Sequence, residues 1–216
     1  MNTLDRDLTT IRKEYMMKNL DEATVLPDPV AQFNVWLDEA IASDVPEPTA
    51  MNLATVGTNG RPSSRIVLLK GVVSGGFVFF TNYNSPKGIH LATNIFGSLN
   101  FFWPQLERQV RIEGRVTKLS ARENDEYFDS RPEGSKIGAW ASPQSKKIKD
   151  RSFLEKKVKE VEARFMDKPI SRPPYWGGYR LNPIFMEFWQ GRPSRLHDRI
   201  HYEKFADQWR IERLAP

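Results

Sequence analysis

Between residues 50 and 81, short runs of strand-forming residues are separated only by tight-turn residues. Met51–Val56 and Ser64–Lys70 flank a turn containing Asn59-Gly60, and Gly75-Gly76 turns the chain into Phe77–Thr81. Turns this short join antiparallel neighbours, because a parallel pair needs a crossover of a dozen residues or more. The chain is therefore constrained to antiparallel sheet over this stretch. The pattern continues in Ser98–Trp103 and in Gln109–Val116, where Val110, Ile112 and Val116 fall on one face and Gln109, Arg111, Glu113 and Arg115 on the other. Strands return at Tyr179–Arg180, Phe185–Gln190, Leu196–Phe205 and Trp209–Leu214.

Helical signals are fewer. Asp28-Pro29 reads as an N-cap followed by proline at the first helical position, and Val30, Phe33, Trp36, Leu37, Ala40 and Ile41 follow at helical spacing. A short helix is expected over Lys87–Asn94. Ser120 with Glu123 forms a capping box opening a helix to about Phe128, and a long helix runs from about Ser152 to Phe165. The reading is a mainly antiparallel β protein with covering helices, a barrel or curled sheet. Residues 1–25 are expected to form a mobile arm and residues 26–216 a single domain. No glycine-rich strand-to-helix loop of the dinucleotide or P-loop type is present, which disfavours a Rossmann fold.

Composition removes several chemistries. The 216 residues include no cysteine and three histidines (His90, His197 and His201), which excludes disulfides, thiolate nucleophiles and thiolate metal sites and disfavours a histidine metal cluster. No apolar run is long enough to span a bilayer, and the first residues lack a signal-peptide core, so a cytoplasmic protein is expected. The net charge of +5 admits nucleic acid, an acidic membrane or small phosphorylated ligands as partners. The densest cationic run, Lys146, Lys147, Lys149 and Arg151, leads into a mixed-charge segment and reads as a solvated helix face. The other cations stand singly among apolar and aromatic residues, as contacts to small anions would.

Three constellations follow. If Arg195-Leu196-His197-Asp198-Arg199 is a strand, Arg195, His197 and Arg199 share a face, and Phe188 and Trp189 precede them with aromatic planes suited to a flat heterocycle. A solvated edge strand is the alternative. In Arg65-Ile66-Val67-Leu68-Leu69-Lys70, two cations bracket an apolar strand and would point to opposite faces. Charged ends on a buried strand explain that equally well. Tyr127 and Arg131 are four apart at a helix end, with Ser135 beyond; they make either a phosphate cradle or a simple C-terminal cation. Lys87 opens a helix, where backbone N–H groups favour an anion, and Gln144-Ser145 lies in a polar loop.

The segments RIVLLK (65–70), FFTNYNSPKG (79–88), LERQVRIEG (106–114), SRPEGSKIGAWASPQS (130–145), PPYWGGYRL (173–181) and EFWQGRPSRLHDR (187–199) closely resemble those of the pyridoxamine 5′-phosphate oxidase family, in the family's order from about Arg12 to Pro216. The resemblance implies an FMN-binding split β-barrel and a homodimer with two active sites at the subunit interface. It implies oxidation of pyridoxamine and pyridoxine 5′-phosphates to pyridoxal 5′-phosphate by O2, with H2O2 released. By the same resemblance, Arg65 and Lys87 match FMN-phosphate ligands. Ile66, Val67, Leu68, Leu69, Phe80, Thr81 and Gln109 match the flavin's bed, and Gln144, Ser145, Trp189 and Arg199 complete it. Lys70, which borders the flavin as well, joins Tyr127, Arg131 and Ser135 as the substrate-phosphate cradle. Arg195 and His197 match the catalytic residues over the pyridine ring, and Arg12 and Tyr15 resemble arm residues that fold over bound ligand. No metal, nucleic acid or membrane partner is implied. Pro86 stands where the family usually has an arginine beside the phosphate-binding lysine, and weaker FMN retention is the expectation. An FMN-dependent reductase or an oxidase of another heterocycle, a non-catalytic flavin- or pyridoxal-phosphate-binding barrel, and a basic nucleic-acid-binding barrel are the rival readings.

Overall fold

The computed structural model describes Leu8 and residues 14–216. Backbone contacts divide these into two compact units. One gathers the N-terminal residues through Pro48, Phe101–Arg111 and Phe185–Pro216; the other gathers Thr49–Asn100 and Ile112–Ile184.

In the first unit, α1 (Pro29–Ala42) starts where the N-cap signal places it. The Asp28 carboxylate accepts the Val30 N–H at 2.9 Å, and Pro29 occupies the first turn, where its missing N–H costs nothing. Its buried stripe of Phe33 and Trp36 packs on aromatic strand residues. Phe33 lies 4.9 Å from Phe101 between ring centroids, and Trp36 meets Phe188 edge-on at 5.1 Å. Such pairs contribute about 0.5–1.5 kcal/mol each beyond area burial. Strands β8 (Asp198–Phe205) and β9 (Gln208–Arg213) form an antiparallel hairpin, and β8 also pairs with the last residues of β7 (Trp176–Gln190).

The second unit opens with the expected hairpin. β1 (Ala50–Val56) pairs antiparallel with β2 (Pro62–Leu68), and Gly60 supplies the positive φ of +72° that the turn requires. β3 (Gly71–Val73) pairs with β4 (Gly76–Asn82), and β4 pairs with the first half of β7. β5 (Phe96–Trp103) and β6 (Arg108–Lys118) contribute residues to both units, as β7 does. The strand order is β2-β1-β5-β6-β7-β4-β3, with β8 and β9 joined through β7. Helix α2 (Pro86–Thr93) follows β4. Helix α3 (Ala121–Asp129) carries the complete capping box between Ser120 and Glu123. Helices α4 (Glu133–Ala141) and α5 (Arg151–Phe165) pack through Ile137, Ala141, Val161 and Phe165.

Three expectations need correction. Arg195, His197 and Arg199 do not share a strand face, because the chain turns through Pro193–Arg195 and β8 begins only at Asp198. Ser194 and Arg195 both take left-handed φ values, 56° and 62°, which no extended strand contains. Second, β7 runs unbroken through Pro183, where two separate strands were expected. Third, α4 was not foreseen. The polar residues after Pro132 conceal a helix whose apolar face is only Ile137, Trp140 and Ala141.

Gly88 fixes how α2 sits on the chain before it. A Cβ there would lie 2.2 Å from the Tyr83 carbonyl oxygen, and backbone cannot yield as a flexible side chain can. Gly88→Ala is expected to destabilise the protein by about 1–3 kcal/mol through overpacking. A thermal midpoint falling by roughly 2–12 °C in a calorimetric scan would show it; an unchanged midpoint would contradict this account of α2.

Candidate active site

The second unit holds a cavity of about 320 Å³ to which β2, β4, α2, α3, β7 and the Gln144 loop each contribute. Of the residues singled out in the sequence, Ile66, Val67, Leu68 and Lys70 line it from β2 and the bend after it. Phe80 and Thr81 reach it from β4, Lys87 from α2, Tyr127 from α3, and Arg131 and Gln144 from the loops bounding α4. Strand alternation explains part of this. On β2, Ile66 and Leu68 point away from the core, 66% and 36% exposed, although both are large and apolar. An apolar strand face left open beside cations is a platform for a flat ring.

The cavity's charge is one-sided. Among the described residues, Lys70, Lys87 and Arg131 line it, and no Asp or Glu does. Lys87 is buried, at 8% exposure, and its ammonium donates only to neutral oxygens, Gln144 Oε1 at 3.0 Å and Ser85 Oγ at 3.4 Å. Burial, and after it the neighbouring Arg65 guanidinium, hold its pKa below the ordinary lysine value. Thr81 Oγ1 donates to the same Gln144 Oε1 at 3.2 Å, so the amide's oxygen is engaged and its NH₂ is left as a donor. Burial lowers the Arg131 pKa and raises that of Tyr127, each opposed in part by the other residue. Arg131 Nη1 is buried without a hydrogen-bond partner. A buried guanidinium N–H left open costs about 1–3 kcal/mol unless something accepts it.

Arg65 stands behind this wall. Its guanidinium donates to Leu53 O at 3.1 Å, Thr55 Oγ1 at 2.8 Å and Ser63 Oγ at 2.8 Å, again neutral acceptors only. Leu69 is buried beneath the strand, and Ser145 is an exposed residue with a left-handed φ of 66° beside Gln144. Ser135 lines an adjoining cavity of about 260 Å³ that shares Arg131, Gln144 and Trp176 with the first. The donors and the absence of acids fit a phosphate, and the open apolar face of β2 fits an aromatic ring. FMN combines both groups, and the residues present accommodate it.

Trp176, which lines both cavities, escaped the sequence analysis, as did Asn82, Gly138, Ala139 and Ser142 in the adjoining one. Trp176 stacks near-parallel with Phe80 at 5.4 Å and Tyr127 at 6.2 Å, and those two stack on each other at 3.8 Å. Its sequence signal was the Trp176-Gly177-Gly178 step after two prolines, which marks a large ring beside a close backbone approach.

The remaining predicted residues lie in the first unit. Tyr15 meets Trp189 edge-on at 5.6 Å and His197 at 5.9 Å, and Trp189 lies 4.6 Å from His197. The Arg192 N–H donates to His197 Nδ1 at 3.1 Å, which makes Nδ1 an acceptor and puts the neutral ring's proton on Nε2. Burial and then Arg195 hold the imidazole below its ordinary pKa, with Asp198 opposing them. Arg195 is exposed. Arg199 donates through Nε and Nη2 to the buried Glu187 carboxylate, at 3.0 and 3.1 Å, and Glu187 also pairs with Arg111. Gln109 is half-buried on β6. Arg12 lies outside the described residues. Among the described residues, no cluster of His, Cys, Asp and Glu could hold a metal ion, and no helix is long and apolar enough to cross a membrane.

The sequence matches the family model described as pyridoxamine 5′-phosphate oxidase over residues 37–165. A second model, described as the pyridoxine 5′-phosphate oxidase C-terminal dimerisation region, matches residues 176–216. Proteins named pyridoxine/pyridoxamine 5′-phosphate oxidase are 54% identical in Cytophaga hutchinsonii and 58% identical in Burkholderia cenocepacia, each over 97% of this chain and 99% of the relative. Among solved structures, PhzG from Burkholderia lata, in complex with tetrahydrophenazine-1-carboxylic acid, superposes with a TM-score of 0.85 at 32% identity, over 90% of this chain and 95% of PhzG. A pyridoxamine 5′-phosphate oxidase-related, FMN binding protein from Nostoc punctiforme, at 20% identity and a TM-score of 0.71 over 87% of this chain and 98% of that one, shares the fold. The antiparallel sheet with covering helices is thus of the split β-barrel class. The chain belongs to the pyridoxamine 5′-phosphate oxidase family.

Proposed function

We propose that the protein oxidises pyridoxamine 5′-phosphate and pyridoxine 5′-phosphate to pyridoxal 5′-phosphate, using FMN and O2 and releasing H2O2. The observation that carries this reading is the cavity beside β2, where Lys70, Lys87 and Arg131 converge without a carboxylate. When bound, FMN would supply the hydride-accepting chemistry, with O2 as the final electron acceptor. The chain's residues supply positioning and charge. Arg65 and Lys87 take the FMN phosphate, and the Gln144 amide, oriented by Lys87 and Thr81, offers its N–H to the flavin site. Ile66 to Leu69, Phe80, Thr81, Gln109, Ser145 and Trp189 complete the bed. Lys70, Tyr127, Arg131 and Ser135 hold the substrate phosphate. Arg195 and His197 lie over the pyridine ring, and Arg199 adds positive charge near the flavin, moderated by Glu187.

The family's C-terminal dimerisation region supports a homodimer. We read the two active sites as built across its interface, residues 26–216 as one domain, residues 1–25 as an arm that brings Arg12 and Tyr15 over bound ligand, and the location as cytoplasmic. The likeness to PhzG keeps oxidation of another heterocycle as the second reading. The phosphate cradle favours the first, because a substrate without a phosphate leaves Lys70 and Arg131 unpaired.

Purified protein given pyridoxine 5′-phosphate is expected to release peroxide. Pyridoxine without its phosphate should react with kcat/KM lower by about 10- to 10⁴-fold, each lost charge-assisted bond costing about 1.5–3 kcal/mol. No peroxide, or equal efficiency with both compounds, would defeat the assignment. Pro86 opens α2 directly beside Lys87, so an arginine there adds a donor where the anion is expected. Pro86→Arg should lower the FMN dissociation constant, read by fluorescence titration; a constant that does not fall refutes this account of Pro86. His197 should titrate by NMR with a midpoint under the ordinary 6.5, because burial and Arg195 disfavour its charged form. The neutral ring then prevails at neutral pH, and the bond from the Arg192 N–H is lost only as pH falls through that lowered value. A midpoint above 6.5 would contradict it.

A further inference from the structure

We propose that Trp176 is a positioning residue that presets the Arg131 guanidinium for the substrate phosphate; this rests on the function proposed above. Arg131 sits in the bend between α3 and α4, where its N–H donates to Phe128 O at 3.1 Å. Its side chain makes no ion pair among the described residues, and Nη1 is buried without a hydrogen-bond partner. Its closest ring contact is a face: the guanidinium carbon lies 4.5 Å from the Trp176 centroid, with Phe128 farther away at 5.6 Å. A cation held by a ring face surrenders no N–H to a carbonyl or carboxylate. The donors therefore remain available to an anion, and the side chain does not have to be recruited from solvent.

The ring itself is fixed from several directions. Trp176 is 7% exposed, and its carbonyl accepts from Arg172 Nη1 at 2.8 Å while Arg172 Nε binds Asp125 of α3 at 2.7 Å. Its backbone is in register with Asn82 on β4. Its plane follows the stack, 13° from Phe80 and 4° from Tyr127, with Phe128 edge-on at 5.2 Å. Tyr127 and Arg131 are thus both oriented by one indole, although neither is its neighbour in sequence. A hydroxyl and a guanidinium that must grip the same phosphate share a rigid support.

Trp176→Phe and Trp176→Leu test this on the whole protein, with folding checked by thermal denaturation. In Trp176→Leu, KM for pyridoxine 5′-phosphate should rise about 3- to 30-fold with kcat nearly unchanged, and Trp176→Phe should fall between it and the native protein, since indole is the strongest cation partner. KM for unphosphorylated pyridoxine should not move. An unchanged KM for the phosphorylated substrate in folded Trp176→Leu, or an equal rise for both substrates, overturns the proposal. If the leucine variant does not fold, Trp176→Phe decides, and a native KM there overturns it. If the native protein oxidises no pyridoxine 5′-phosphate, the parent reading has failed and inorganic phosphate becomes the probe. Binding measured by calorimetry that is weaker in the variants supports the role of Trp176, and equal binding overturns it.

Discussion

The site depends on positive charge that the fold buries without giving it negative charge in return. Moving an ammonium or guanidinium out of water is costly, and proteins ordinarily offset the cost with a carboxylate. This chain follows that habit in most places. Arg199 and Arg111 share Glu187, Arg213 grips Glu22 and Asp198, Arg180 meets Glu123 and Arg172 meets Asp125. Around the β2 cavity the habit stops. Lys87 faces an amide and a hydroxyl, Arg65 faces hydroxyls and a carbonyl, and Arg131 faces an indole. Neutral partners hold these cations in place but do not cancel them, so the field in the cavity stays positive. A phosphate entering the cavity would meet donors already held in place and already stripped of part of their water.

That choice of partners also explains the rigidity of the surroundings. Two cations as close as Arg65 and Lys87 repel, and repulsion would drive both side chains outward if nothing anchored them. Arg65 is tied to the β1–β2 hairpin by three hydrogen bonds, and Lys87 to the start of α2 and the Gln144 loop. Gly88 lets α2 lie against the Tyr83 carbonyl, where any side chain would push it away. The repulsion between the two cations is thus opposed by hydrogen bonds to groups that the β1–β2 hairpin, α2 and the Gln144 loop hold in place.

Local signals in the sequence were read well because their causes are local. Asp28-Pro29, the Ser120–Glu123 capping box and the Asn59-Gly60 turn act within a few residues, and each stands in the fold where its chemistry requires. The site was legible only in part. Spacing left Arg65–Lys70 open between a site wall and a buried strand with charged ends, and the period-2 argument failed at Arg195-Leu196-His197. Ser194 and Arg195 turn left-handed there, and neither is glycine, so no residue type announces the bend. Trp176 was overlooked for the opposite reason. A tryptophan in a strand reads as core, and 7% exposure agrees with that; its relation to Arg131 exists only because β7 pairs with β4 beside α3. Sequence spacing carries no trace of such a meeting.

Trp189 and Trp176 illustrate how one residue type serves two ends. Trp189 packs against His197 at 4.6 Å and Tyr15 at 5.6 Å, and an imidazole held against apolar rings loses hydration, which favours its neutral form. Trp176 packs against a guanidinium, which stays charged however it is buried, so the same loss of hydration strengthens what the cation can do to an anion. Aromatic surroundings thus keep one titratable group uncharged and leave another fully charged, because the two begin so far apart in basicity.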